Sequence, residues 1–95
     1  MIVRWSTEAE WDRNSIATYI AADNPRAAAR MDEVFDATAA SLSEFPHRGR
    51  PGSVAGTREL MPHESFRLVY EIDGGTVWIL AVFHTARQWP PADQA

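Results

Sequence analysis

At 95 residues, 45% of them hydrophobic, the chain is long enough for one domain with a single small core and too short for two. Cysteine is absent, which excludes disulfides and thiolate metal sites, and no segment approaches the roughly 20 apolar residues of a membrane helix. A formal charge of −4 weighs against tight binding to a phosphate backbone. The opening MIVRWSTEAEW lacks a basic region leading into a long apolar run, so no signal peptide is expected and a cytoplasmic location fits.

Ile2 to Trp5 reads as a short first strand. Thr7 and Glu10 follow at capping-box spacing, and Ala9, Ile16, Tyr19 and Ile20 fit one face of the helix they open. That helix is expected to stop before Asn24-Pro25, where Asn24 caps a second helix with Pro25 at its first position. Ala28, Met31, Val34, Phe35, Thr38 and Leu42 form the apolar stripe of this second helix, and charged residues occupy its other face. So tight a connection predicts an antiparallel helical hairpin.

The stretch EFPHRGRPGSVAGTREL differs in kind. Its two prolines and three glycines predict a loop without regular structure. Strands are then expected over Thr57 to Met61, Phe66 to Ile72 and Val77 to Phe83, with Asp73-Gly74-Gly75 turning the last pair. VWILAVF is apolar almost throughout, which predicts a central strand covered on both faces. The tail PPADQA should fray. The order is β-α-α-β-β-β in one domain over residues 1–95, an α+β fold whose helical hairpin packs on a small, mostly antiparallel sheet.

Charge is unevenly spread. From Trp5 to Phe45 eight acids face three arginines, whereas from Pro46 to Arg67 four arginines (Arg48, Arg50, Arg58, Arg67) face Glu59 and Glu64. All nine basic residues are arginine, whose planar fork suits carboxylate or phosphate partners. No two histidines stand at metal-ligand spacing with carboxylates, so neither a metal nor another cofactor is expected.

Five words in this order resemble the RelE/ParE superfamily, the toxin halves of bacterial type II toxin–antitoxin modules: YIAADNPRAA (19–28), LSEFPHRGRPG (42–52), GTREL (56–60), FRLVYEI (66–72) and VWILAVFHTARQWP (77–90). The resemblance covers most of the chain. It implies a growth inhibitor neutralised by a cognate antitoxin, with operator DNA reached only through that antitoxin. RelE-like members cleave mRNA on the ribosome with an arginine- and lysine-rich constellation and usually a C-terminal tyrosine; ParE-like members inhibit DNA gyrase.

For an RNA-cleaving member the resemblance places Arg67 on the scissile phosphate, where a preorganised guanidinium would stabilise developing charge. Arg87 would stand near it, and His84 could move protons, since imidazole titrates near neutral pH. Glu59 could serve as a base, or else pair with its neighbour Arg58. An unassigned Arg67 would pair with Glu64 or Glu71. Arg48, Arg50, Arg58, Arg67, Arg87 and Trp89 are the residues expected to meet a target or antitoxin. Trp5, Trp11 and Trp78 are expected to pack.

This sequence departs from the RelE pattern in having no lysine and no tyrosine after Arg87. Arginine supplies charge but does not readily donate a proton. The departures favour ParE-like inhibition of gyrase, with ribosome-dependent mRNA cleavage or a non-toxic partner in a repressor complex as alternatives. Relatives often carry leucine where this chain has Arg13. Either the apolar stripe shifts and Trp11 covers the gap, or Arg13 meets a dimer or antitoxin surface. An amphipathic antitoxin segment bearing acids should clasp the helix–sheet edge and the arginines.

Overall fold

A computed structural model describes residues 1–91; residues 92–95, most of the tail expected to fray, lie outside the described residues. The elements are β1 (Ile2–Trp5), α1 (Thr7–Ala21), α2 (Pro25–Ser41), β2 (Arg50–Pro51), β3 (Thr57–His63), β4 (Phe66–Asp73) and β5 (Thr76–His84). The strands form one sheet in the order β1-β5-β4-β3-β2, parallel only where β1 meets β5. The α+β reading with a helical hairpin on a mostly antiparallel sheet holds.

Ser6, not Thr7, caps α1. The Ser6 N–H donates to the Ile79 carbonyl at 2.9 Å while its hydroxyl accepts from the Ala9 N–H at 3.0 Å. The residue that closes the β1–β5 ladder thus also satisfies an orphan donor of the helix, and Thr7 and Glu10 stand one position too late for a capping box. At the hairpin turn Asn24 Oδ1 accepts from the Ala27 N–H at 3.1 Å with Pro25 in the first turn, as expected.

Phe35 and Ala39 of α2 and Leu42 at its C-cap are buried, and Phe35 stands edge-on to Phe66 at 5.4 Å. The core they enter is Leu68, Tyr70, Val77, Ile79 and Val82 from the sheet with Ala9 from α1. Tyr19 was expected on the buried face of α1 but is 84% exposed. At 3.6 residues per turn it lies about 80° from Ala9, outside the narrow arc that the core covers.

Arg13 resolves differently from either expectation. Its Nε and Nη2 fork onto Asp32 of α2 at 2.6 and 2.9 Å, and its guanidinium lies 4.7 Å over the Trp5 ring. It therefore fastens α1 to α2 within the chain. Trp11 covers no gap and is 72% exposed.

The loop expected to be irregular contains β2, where Arg50 pairs with Glu59 and Pro51 with Arg58. Tyr70 anchors this segment from the core: its hydroxyl accepts from the Gly49 N–H at 2.8 Å and donates to the Pro46 carbonyl at 2.7 Å. Only glycine fits at position 49, because a Cβ would meet the Tyr70 ring at 2.8 Å.

β4, not β5, is the middle strand. β5 is internal as expected, with its core face buried; on the other face Ala81 is buried and Trp78 and Phe83 are half-buried. The turn to β5 puts positive φ on Gly74 and keeps Asp73 in the strand. The β4–β5 register shifts by one residue between Tyr70↔Ile79 and Val69↔Ala81. Leu80 is the extra residue, and α1 braces it from both sides: the Ser6 hydroxyl donates to the Leu80 carbonyl at 3.4 Å, and Asp12 Oδ2 accepts from the Val82 N–H at 3.1 Å.

Candidate functional site

Side chains alternate along a strand, so the residues between the core positions of β4 and β5 face away from the helices. Arg67 pairs with Phe83, and Glu59 with Val69, on this helix-free face. The chain after β5 and residues 50–53 flank an open cavity of about 660 Å³ there. Arg50, Arg67, Arg87 and Trp89 all line it, together with Glu59 and Ser53.

Glu59 is the hub. Its side chain is 8% exposed; Oε1 lies 3.4 Å from Arg67 Nη1 and 3.8 Å from Arg50 Nη2, and Oε2 accepts from the Ser53 N–H at 3.2 Å. Neither Arg58 nor Glu64 nor Glu71 makes the expected pairs. Arg58 points to the opposite face and donates through Nη1 to the Gly49 and His47 carbonyls at 2.7 and 3.3 Å. Arg67 is 27% exposed, and its Nε is buried with no hydrogen-bond partner among the described residues. Arg50 and Arg67 therefore share one carboxylate, Arg87 lines the same cavity, and one donor of Arg67 is unanswered. A buried, unpaired donor of this kind costs free energy.

The other candidates separate. Arg48 is exposed and donates to the Ser41 hydroxyl at 2.7 Å, away from the cavity. Trp89 is half-buried at its rim, and its carbonyl accepts from the Ser53 hydroxyl at 3.1 Å. His84 lies on the helix side of the sheet, edge-on to Phe66 at 5.8 Å, with Nδ1 accepting from the Ala86 N–H at 3.1 Å. It lines a second cavity of 650 Å³ between α1 and the end of β5, with Trp11, Asp12, Ile16, Tyr19 and Phe66. Phe83, Ala86 and Arg87 line both cavities.

Asp12 escaped the sequence reading. Burial pushes its carboxyl above the ordinary 3.8, against the lowering effect of the Val82 N–H, with Glu8 raising it further and Arg87 opposing. Its strand partner is 70 residues away, so no local pattern marks it. Ser53 was likewise missed, because a serine in a glycine-rich loop carries no signal of its own.

The sequence matches, over residues 3–89, the family described as the ParE toxin of the type II toxin–antitoxin system parDE. The chain belongs to that family. The toxin is 37% identical over 89 residues to Y4kP of Sinorhizobium fredii, named as a candidate toxin, covering 93% of this chain and 92% of that one. It is 36% identical over 85 residues to toxin RelE2 of Caulobacter vibrioides, covering 90% and 96%. The fold is shared with the chromosomal ParDE system of P. aeruginosa at a TM-score of 0.77, with 23% identity over 88% of this chain and 95% of that one. It is shared also with a YoeB/ParE toxin of Agrobacterium tumefaciens at 0.65, with 17% identity over 88% and 98%. The protein is thus a type II toxin of the RelE/ParE superfamily, and membership implies an antitoxin partner. Among the described residues no helix is long and apolar enough to cross a membrane.

Proposed function

We propose that this toxin, as one domain acting in the cytoplasm, stops growth by binding DNA gyrase through the cationic cavity without chemistry of its own. A cognate antitoxin relieves the arrest by covering the same surface. The observation that carries the reading is the separation of His84 from Arg67. The imidazole lies on the helix side of the sheet and the guanidinium on the other, so the arginine cluster has no imidazole beside it. Arginine holds its proton at all accessible pH values, and the sequence provides neither lysine nor a tyrosine after Arg87. A cluster of this composition is suited to holding an anionic surface. The test is pulse-labelling after inducing the toxin alone, with a supercoiling assay on purified protein. Thymidine incorporation should fail before methionine incorporation, gyrase supercoiling should be inhibited, and His84→Ala should leave both effects intact. Methionine incorporation failing first would sink the proposal.

A second reading has one observation in its favour. Glu59 and Arg67 lie 3.4 Å apart in one cavity, so a carboxylate base and a phosphate-stabilising guanidinium are at hand for RNA cleavage. That reading requires mRNA fragments on induction, and their loss in Glu59→Gln. It also requires a drop of about 2.7–4 kcal/mol in transition-state stabilisation in Arg67→Ala.

A further inference from the structure

The loop after β2 carries an exposed hydroxyl, that of Ser53, in the wall of the cationic cavity. Arg50 stands three residues before it and the exposed Val54 directly after. β2 is the last strand on its side of the sheet, so Arg50 and Pro51 run extended along a free edge, with the Arg50 side chain 64% exposed. An extended segment with an arginine three residues ahead of a serine is what basophilic serine/threonine kinases accept as substrate. Thr7 alone shares the spacing, after Arg4, and it is held in the first turn of α1.

We infer that Ser53 is a phosphorylation site whose phosphate turns into the cavity and is held there by Arg50 and Arg87. In the transfer the Ser53 oxygen attacks the terminal phosphorus of a nucleoside triphosphate, and the bond from that phosphorus to its bridging oxygen breaks. The nucleoside diphosphate leaves, and the hydroxyl proton passes to the kinase's catalytic aspartate. The consequence rests on the binding reading above: a phosphate on these arginines takes up the charge that meets the target.

Charge favours this placement. Three guanidinium groups and one carboxylate line the cavity, a formal balance of two positive charges, and a phosphoserine brings close to two negative ones. Glu59 opposes the phosphate, since its Oε2 accepts from the Ser53 N–H at 3.2 Å, but Arg67 at 3.4 Å already offsets that carboxylate. Arg50 lies a loose 3.8 Å from Glu59, and the exposed Arg87 makes no ion pair among the described residues. Both can turn to a stronger acceptor. The unmodified hydroxyl donates to the Trp89 carbonyl at 3.1 Å. A phosphate dianion has no proton to give, so the loop and the chain after β5 part there as the phosphate turns inward.

The experiment has two arms on the full chain. Neither involves gyrase or growth, so its failure and that of the proposed function are distinguishable. In the first, the toxin is incubated with the catalytic subunit of a basophilic serine/threonine kinase and ATP, and the modified residues are read by mass spectrometry. Ser53 should take up one phosphoryl group, Arg50→Gln should slow the uptake roughly tenfold or more, and Thr7 should stay unmodified. In the second, phosphoserine is built in at position 53 during translation, and its phosphate is titrated by phosphorus NMR in the folded protein and in urea. The second ionisation, at about pH 6 in a free phosphoserine, should fall by about 1 on folding. Arg50→Gln and Arg87→Gln change exposed side chains, so each should reverse part of that fall without unfolding the protein. No uptake at Ser53, uptake at other hydroxyls in its place, or a phosphate that titrates alike folded and unfolded or ignores both variants would overturn the inference.

Discussion

The Tyr70 hydroxyl offers a measurement that links core to site. Tyr70 is fully buried on β4, and its hydroxyl bridges the Gly49 N–H and the Pro46 carbonyl at 2.8 and 2.7 Å. Tyr70→Phe preserves the ring and its packing, so the perturbation is confined to one oxygen. Gly49 is buried, and its stranded N–H should cost about 1–3 kcal/mol. Pro46 is half-exposed and its carbonyl can find water, so the second bond is worth about 1 kcal/mol. The sum is about 2–4 kcal/mol, which for a domain of this size lowers the thermal midpoint by about 10–25 °C. Calorimetry of the two proteins measures it directly. The same loop carries Arg50 toward Glu59, so amide exchange over residues 47–52 should quicken in the variant even well below its midpoint. A loss under about 0.5 kcal/mol, the range of an indifferent surface change, would refute the account of how the loop is held.

The hydrogen bond to Arg13 holds the Asp32 carboxyl below its ordinary 3.8, outweighing burial. A depressed folded value means stability that is complete above the unfolded pKa and drains away as pH falls through the folded one. Asp32→Asn should therefore lower the thermal midpoint at pH 7 modestly, since Asp32 is half-exposed, and should flatten the loss of stability below about pH 4. Asp12 has the opposite sign: its raised pKa means that the ionised form costs stability at neutral pH and that the cost fades as pH falls through the folded value. Asp12→Asn keeps an acceptor for the Val82 N–H, so its midpoint at pH 7 should equal or exceed that of the wild type, and a clear fall would contradict this. Gly49→Ala drives a Cβ to 2.8 Å from the Tyr70 ring and 2.9 Å from the Glu59 carbonyl oxygen. It should cost about 1–3 kcal/mol in denaturant unfolding, whereas Gly75→Ala, with nothing within 4 Å, should cost less.

What the sequence revealed, and what it concealed, divides by range. The helical hairpin was legible because its signals are local: a stripe ending at Leu42, and Asn24-Pro25 as stop and start together. The strands were legible through their apolar runs and the glycine turn. Pairings between distant residues were not. Glu59 meets Arg67 because register brings β3 against β4, and no spacing rule distinguishes that pair from Glu59 with Arg58. Alternation could have ruled out the Arg58 pair, since adjacent strand residues point to opposite faces. Arg13 misled because an arginine in an apolar stripe suggests an interface, whereas Asp32 and the Trp5 ring satisfy it inside the chain.

The placement of His84 turns on a single residue. Counting back from the Asp73↔Thr76 pair at the glycine turn, an unbroken ladder would set Arg67 opposite Val82, and His84 would then share the guanidinium's face. The extra residue at Leu80 advances β5 by one, so that Arg67 meets Phe83 and His84 meets Phe66 on the helix side. That bulge is held by α1, through the Ser6 hydroxyl on Leu80 and the Asp12 carboxylate on Val82, although keeping a carboxylate buried there raises its pKa. The same shift brings Val82 into the core and turns Phe83 toward the arginines, so apolar packing and the composition of the cavity are set together. Removing the bulge would return His84 to the face of Arg67 only by also turning Val82 out of the core. The fold thus favours an arginine cluster without a neighbouring imidazole, and that arrangement is suited to recognising charge more than to moving protons.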